Sequence, residues 1–410
     1  MKVIVQKFGG TSVATGQIRE RVVHHIMRAM SEGYRPVVVV SAMGRDGDPY
    51  ATDTLIKLAL SVGGPPAGRE LDLIMSCGEV ISAVVMAQTL KSKGQPAVAL
   101  TGGQAGIITD EYFGGAGILR VDPKRIWREL EEGKVPVIAG FQGVNESGDI
   151  TTLGRGASDT TAAVLGVALG AELVEIYTDV DGIKTADPRL VPNAVTLSHV
   201  TYSEVVEMAH LGAKVIHPRA VEIAREGRLP LKVRSTLEDG PGTLITDRRP
   251  GGGIDKLKSD RPVVGVAHVP GRTQVRIDLT GCIGPVTVAG VFRALGDAGI
   301  SIDMISVTPE QILFIIAADA AEQAEKVLRG LGLAPVITKG FTKVSIVGAG
   351  MHGVPGIMGR VATALTKAGV AIYQTTDSHA NISCLVKEEG AAKAVAALHD
   401  EFGLQAMPAQ

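Results

Sequence analysis

The sequence predicts an α/β domain built on a largely parallel sheet sandwiched by helices, followed by two copies of a smaller ferredoxin-like α+β module. Three observations carry that expectation. Residues 2–40 read strand, helix, strand, and the second strand is continuously apolar from Val37 to Val40, as in a βαβ unit covered on both faces. Glycine-rich turns recur where strands end, at Gly9 and Gly10, Gly44, Gly140 and Gly143, and Gly154 and Gly156. In the C-terminal part Pro285, Leu295, Gly299, Ile302 and Ile312 return as Pro355, Leu365, Gly369, Ile372 and Ile382, each 70 residues later, which marks a duplicated module.

The first stretch, KVIVQKFGGTSV at 2–13, sets a lysine between a strand and a glycine turn. Gly9 and Gly10 permit a sharp turn, and Thr11 and Ser12 are expected to cap a helix. Freed backbone N–H groups, a helix N-terminus and the Lys7 ammonium would converge on a phosphate or carboxylate. A first strand with a surface lysine is the plainer alternative. Ile18, Val22, Ile26 and Met30 then mark an amphipathic helix ending near Gly33, and Pro36–Ala42 reads as a buried strand. Residues 46–54 form a polar loop, either a substrate loop or mere surface.

The next helix, over 70–90, carries Cys77-Gly78-Glu79 in its middle. A glycine there costs about 1 kcal/mol relative to alanine, so it signals close approach by another element. Glu79 suits a substrate ammonium, or is a solvated helix charge. Strands follow at 98–101 and 135–141. TTLGRGASDTT at 151–161 is a second glycine-rich loop feeding a helix, over 160–169, with Arg155 suited to gripping a carboxylate and Asp159 suited to capping. The strand 173–177 delivers Thr178, Asp179, Asp181 and Lys184, a set suited to a nucleotide with its magnesium. Lys214 follows a glycine stop, and 231–234 reads as the last strand of the domain.

Composition narrows the function classes. The chain has 410 residues, too many for one ordinary core, and a net charge of -2 without a long basic block, which argues against a nucleic-acid partner. The apolar runs are too short to span a bilayer. Cys77, Cys282 and Cys384 lack CxxC spacing, so neither a disulfide framework nor a zinc site is expected. The opening residues lack the pattern of a secretory leader, so a cytoplasmic protein is expected. Neither a P-loop nor the protein-kinase signature set occurs. GAGMHG at 348–353 matches a dinucleotide fingerprint, but its counterparts in the first module are Asp278, Thr280 and Ile283, and each module is too short for a doubly wound fold. The pair His24-His25 points in different directions from a helix and implies no metal.

The motifs KFGGTSV at 7–13, VVSAMG at 39–44, SCGE at 76–79, AGFQGV at 139–144, TTLGRGASDTTA at 151–162, YTDVDGIKTADPR at 177–189 and VRSTLEDGPGTLI at 233–245 resemble aspartokinase. The resemblance implies an amino-acid-kinase fold at 1–245, a linker at 246–262 and tandem ACT modules at 263–338 and 339–410. It implies ATP-dependent phosphorylation of the L-aspartate β-carboxylate, an early step towards diaminopimelate, lysine, threonine and methionine. Carried over by position, Lys7 and Asp159 are the expected catalytic residues. Thr52, Glu79, Arg155, Gly156, Ala157 and Ser158 are the expected aspartate contacts, with Glu79 on the amino group and Arg155 on the α-carboxylate. Lys7, Phe8, Gly9, Gly10, Tyr177, Thr178, Ile183, Lys184, Thr185, Ala186, Asp187, Pro188, Lys214 and Val215 are the expected ATP site. No metal ligand is assigned, since Mg²⁺ comes bound mainly through ATP. An amino-acid effector, diaminopimelate, lysine or threonine, is expected near Asp278, Gly284, Pro285, Gln374, Thr375 and Asp377. The sequences VTPE at 307–310 and QTTDSH at 374–379 are more similar to the diaminopimelate-sensitive bacterial isoenzyme. A homodimer through the ACT modules is implied. A kinase of glutamate or acetylglutamate, and a non-catalytic amino-acid sensor, are the competing readings.

Overall fold

The alternation of apolar strands and helices closes as the opening βαβ unit requires. A computed structural model describes residues 1–64, 66–213, 215–247, 262–280, 288–351 and 353–406. Strand β1 (Lys2–Phe8) is followed by α1 (Gly10–Val13), α2 (Gly16–Ser31) and β2 (Tyr34–Val40). Next come α3 (Thr52–Ser61), α4 (Gly68–Ser92), β3 (Ala97–Leu100), β4 (Ile107–Thr109), β5 (Ile118–Val121), α5 (Lys124–Glu131), β6 (Val135–Ala139), β7 (Gln142–Val144) and β8 (Ile150–Thr152). The first part ends with α6 (Ser158–Ala168), β9 (Leu173–Thr178), β10 (His199–Val200), α7 (Tyr202–His210), α8 (Pro218–Glu226), β11 (Leu231–Ser235) and β12 (Thr243–Ile245).

Eight of these strands form one sheet in the order β10-β12-β11-β9-β1-β2-β6-β3. Neighbours are parallel except β11 and β12. Alternate residues of β1 fill two cores: Val3 and Val5 pack with Val37, Val39, Val174 and Ile176 on one face, and Phe8 packs with Val38, Val40 and Met86 on the other. A separate sheet, β5-β4-β7-β8, is built from strands of three or four residues. Such strands are too short to show a period in the sequence. The polar loop expected over 46–54 gives way to α3 at Thr52. Helix α4 is the one described helix long and apolar enough to cross a membrane, but half of that window is buried inside the protein.

The second half contains β13 (Gly265–Asp278), α9 (Val288–Asp297), β14 (Asp303–Val307), β15 (Gln311–Ala317), α10 (Ala321–Gly330), β16 (Val336–Val347), α11 (Ile357–Lys367), β17 (Gln374–Asp377), β18 (Asn381–Lys387) and α12 (Ala391–Glu401). The duplicated pattern of strand, helix, two strands and helix is present, but the two copies share a six-stranded antiparallel sheet, β14-β15-β13-β16-β18-β17. Strands β13 and β16 each serve both copies. Residues 272–276 pair with the start of β16, whereas residues 265–269 pair with its end, 343–347. The boundary expected at 338/339 therefore falls inside a strand, and residues 265–269 complete the second module's sheet. A repeat offset reports spacing within a module; it carries no information about which copy a flanking strand joins.

Beneath β1 lies a polar network that the apolar alternation did not announce. Glu175 is buried and is bonded by Gln6 Nε2 at 2.9 Å, Arg234 Nη1 at 2.9 Å and the Tyr177 hydroxyl at 2.9 Å. Burial pushes its carboxyl up, yet those donors outweigh it and hold Glu175 below the usual carboxylate range. Arg234→Met would leave that carboxylate buried without its cation, and is expected to destabilise the fold by about 3–5 kcal/mol. Thermal unfolding at pH 7 checks this. The deficit is expected to shrink as pH falls through the low-pH range where Glu175 protonates, because its depressed pKa stabilises the fold only while it is ionised. An unchanged midpoint would show that the pair contributes nothing.

Candidate functional site

Strand β1 ends by placing Lys7 on the face opposite Phe8 and then turning sharply. The Lys7 ammonium lies 2.7 Å from Asp159 Oδ1, and both side chains are largely shielded, at 13% and 10% exposure. Asp159 sits in the first turn of α6, and its other oxygen accepts the His217 backbone N–H at 3.0 Å. Gly9 N–H donates to the Tyr177 carbonyl, and Gly44 N–H to the Gly10 carbonyl. A Cβ on Gly10 would lie 2.5 Å from the Ala42 carbonyl oxygen and 2.8 Å from that of Gly44, so only glycine fits the turn. The expected caps are a correction: Gly9 occupies the cap position of α1 with no side-chain cap, Ser12 Oγ instead meets Thr236 Oγ1 at 2.6 Å, and Thr15 caps α2. The Ser12 hydroxyl thus ties the turn to the end of β11, a long-range partner that local capping rules do not contain.

Beside the turn is a cavity of about 260 Å³ whose walls include Gly10, Ala42, Thr52, Glu79, Arg155 and Ser158. Glu79 is buried on α4. Its Oε1 accepts the Ala42 N–H at 3.1 Å, while Oε2 has no hydrogen-bond partner among the described residues. Burial, only partly offset by the Ala42 bond, pushes its carboxyl up to about 8. The close approach expected at Gly78 is real: a Cβ there would lie 2.7 Å from Ala42 Cβ and 2.8 Å from the Tyr50 carbonyl oxygen. Arg155 stands across the cavity, exposed, between Gly154 and Gly156, both at positive φ. Its Nη2 lies 2.8 Å from Asp53 Oδ1. Thr52, Gly156 and Ser158 also line the cavity, whereas the Ala157 side chain packs behind the wall with Met75, Phe141 and Leu153. The cavity offers a buried carboxyl and an exposed cation, with the shielded Lys7 ammonium close behind the Gly9-Gly10 turn, a set that suits a small zwitterion and a second anion.

The expected nucleotide residues divide into two groups. Phe8 and Tyr177 pair in the ladder and stack at 4.7 Å, both fully buried, so only their backbones face the site. Thr178 is half-buried at the end of β9. Ile183 is buried, its N–H donating to Thr243 Oγ1 at 2.9 Å, and the Lys184 ammonium is shared by Asp181 and Thr196, each at 3.0 Å. Asp187 pairs with Arg189, Pro188 is exposed, and Val215 is half-buried. Lys214 lies outside the described residues. Thr185 and Ala186 are both buried, Ala186 within the apolar core of the second module and Thr185 bonded to His399 on α12.

The expected effector residues lie on two strands of the shared sheet, Asp278 at the end of β13 and Gln374, Thr375 and Asp377 on β17. Asp278 accepts bonds from the N–H and hydroxyl of Thr280, which hold its carboxyl below the usual range. Gly284 and Pro285 lie outside the described residues. Gln374 is buried in the joint between modules, where Nε2 donates to the Met304 carbonyl and Oε1 accepts from Gln274 at 3.1 Å; Thr375 and Asp377 are exposed. Sequence reasoning missed Asp53 and His217. The signal for His217 was present in Pro218 behind it, a helix start that aims a backbone N–H at an anion.

Residues 2–235 match the amino acid kinase family, and residues 344–402 match an ACT domain. The chain is 47% identical over 408 residues to aspartokinase 1 of Bacillus subtilis, covering 98% of this chain and 100% of the relative. It is 41% identical over 411 residues to the aspartokinase of Geobacillus stearothermophilus, covering 98% of each chain, and 41% identical over 419 residues to that of Mycobacterium tuberculosis, covering 98% of this chain and 97% of the relative. In fold it is similar to E. coli aspartokinase III in complex with aspartate and ADP, with TM-score 0.76 and 24% identity over 98% of this chain and 99% of that one.

Glu79→Gln tests the electrostatic reading of the cavity without reference to any reaction. The raised pKa means that ionising Glu79 opposes folding: wild-type stability falls as pH rises from the ordinary carboxylate range to about 8, then levels. The glutamine carries no such penalty. Its thermal midpoint is expected to match wild type near pH 5 and exceed it at pH 8.5; a midpoint below wild type at pH 8.5 would contradict the assignment.

Proposed function

The chain belongs to the aspartokinase family and phosphorylates aspartate with ATP, and on that premise we propose how its residues divide the work. Glu79 takes the aspartate ammonium and Arg155 the α-carboxylate, with Thr52, Gly156 and Ser158 lining the space between. Held at that end, the substrate presents its β-carboxylate towards the Gly9-Gly10 turn. A β-carboxylate oxygen attacks the γ-phosphorus as the bond to the β–γ bridging oxygen breaks, giving 4-phospho-L-aspartate and ADP. The carboxylate is already ionised at neutral pH, so no general base is needed, and the enzyme's task is to align two anions and neutralise developing charge. Lys7 supplies that charge at the transferring phosphoryl group, and Asp159 keeps its ammonium in place. Backbone at Phe8, Gly9, Gly10, Tyr177 and Thr178, with Ile183, Lys184, Asp187, Pro188, Lys214 and Val215, receives the nucleotide.

The observation that carries this reading is the buried, unpartnered Oε2 of Glu79 facing a cavity that Arg155 also lines. An ammonium completes it. Acetylglutamate lacks that ammonium and would leave Glu79 unpaired, and glutamate is one methylene too long for the same span. Retention of Lys7, Asp159, Glu79 and Arg155 in bonding geometry also speaks against a non-catalytic sensor. Mg²⁺ enters on the nucleotide: Asp181 is engaged by Lys184 and Asp179 by Arg45, so the protein's own acids near the site are spoken for, and the cation neutralises phosphate charge when bound. The enzyme works in the cytoplasm as a homodimer joined through its ACT modules. Its effector is an amino-acid end product, with diaminopimelate favoured over lysine and threonine by the QTTDSH sequence.

Because Glu79 is protonated below about 8 and the ammonium binds its ionised form, aspartate binding must release a proton at lower pH. KM for aspartate is expected to fall by up to about tenfold per unit as pH rises from 6 towards 8, then level. An ATP-coupled assay across that range, with aspartate, glutamate and acetylglutamate in parallel, checks both points. A KM independent of pH, or turnover of glutamate without aspartate, would contradict the assignment.

A further inference from the structure

The nucleotide loop is not seated on the kinase domain alone. Ile183 and Lys184 bond within that domain, but two residues later the chain enters the second ACT module: Ala186 and Val191 belong to the same apolar core as Val263, Val266, Val344, Ile346, Val395 and Leu398. Thr185 sits at the crossing point. Its N–H donates to the Val195 carbonyl at 3.0 Å, and its own carbonyl accepts the Val266 N–H at 2.7 Å. Its hydroxyl oxygen accepts the Val195 N–H at 3.1 Å and lies 2.9 Å from His399 Nε2. With the oxygen already accepting, the hydroxyl proton is available to donate to Nε2. His399 projects from α12 and is fully buried. A second contact brackets the other nucleotide loop: a Cβ on Gly212 would lie 2.2 Å from the His268 carbonyl oxygen on β13, so the backbone leading to Val215 is also pressed against the regulatory sheet.

Apolar packing fixes how deep the loop sits, but it is non-directional; a buried hydrogen bond fixes its register. We propose that His399 is a positioning residue for the nucleotide site, holding the 183–191 loop from the regulatory module through the Thr185 hydroxyl. The inference rests on the reading of that loop as ATP-binding. Thr185 and His399 touch neither aspartate nor the Glu79–Arg155 cavity, so the bond serves one substrate and not the other.

The test measures KM for ATP, KM for aspartate and kcat in His399→Leu, His399→Gln, Thr185→Val and the double variant His399→Leu/Thr185→Val, with Lys184→Met as a reference. His399→Leu and Thr185→Val are each expected to raise KM for ATP about three- to tenfold while KM for aspartate stays within about twofold. Glutamine can still accept the Thr185 proton, so His399→Gln is expected to restore most of the affinity, and the double variant to be no worse than the worse single one. Should His399→Leu fail to fold, the isosteric Thr185→Val reports on the same bond from its other end. Unchanged KM for ATP in Thr185→Val, equal rises in both KM values, or additive effects in the double variant would overturn the proposal. If Lys184→Met raises KM for ATP while the His399 and Thr185 variants do not, the loop binds nucleotide and the role of His399 is wrong. If Lys184→Met also leaves it unchanged, the loop assignment itself fails.

Discussion

Lys7 and Asp159 come from elements more than a hundred residues apart, and the 2.7 Å contact between them is the constraint around which the site is arranged. A shielded ion pair gives up hydration on both sides, so it persists only where the surrounding fold holds both partners. Here β1, hydrogen-bonded on both edges by β2 and β9, fixes Lys7, while α6 and the His217 N–H fix Asp159. The same two elements place the glycine turn and the loop that carries Arg155. A lysine held this way is positioned before any anion arrives, which is the preorganisation the proposed role of Lys7 requires.

Glu79 is the electrostatic counterpart. Its burial leaves a poorly solvated carboxyl in the free protein, and in the proposed complex a substrate ammonium relieves it, so that specificity would rest on the cost of leaving it unpaired. That arrangement depends on Gly78 and Gly10, where the α4 helix and the β1 turn press against the same Ala42 segment. Two glycines about seventy residues apart thus set the distance between Glu79 and the β1 turn across the cavity.

Much of this was legible in the sequence because the informative residues break a local pattern. Lys7 and Glu79 are charges inside apolar runs, and Gly78 is a glycine inside a helix; each departure needs a reason, and each reason is nearby in space. The parallel sheet was legible from Val37–Val40 for the same kind of reason. What escaped were relations with no local signature: the Ser12 hydroxyl meeting Thr236, the His217 N–H meeting Asp159, and the sharing of β13 and β16 between modules. Thr185 and Ala186 show the limit most clearly. Contiguity with Lys184 suggested a shared role, yet the chain bends after Lys184, so that Thr185 bonds His399 and Ala186 enters the core of the ACT module. The regulatory half packs against the catalytic half at the 183–191 segment and at Gly212, among other contacts.

In the proposed reaction Lys7, while still held by Asp159, meets the phosphoryl group that passes to an aspartate anchored on Glu79. A crystal structure of the complex with aspartate, Mg²⁺ and a non-hydrolysable ATP analogue tests it directly. The account predicts the aspartate ammonium within about 3 Å of Glu79 Oε2, and Lys7 Nζ within about 3 Å of both a γ-phosphate oxygen and Asp159. Aspartate bound with its ammonium turned away from Glu79, or Lys7 out of reach of the γ-phosphate, would contradict it.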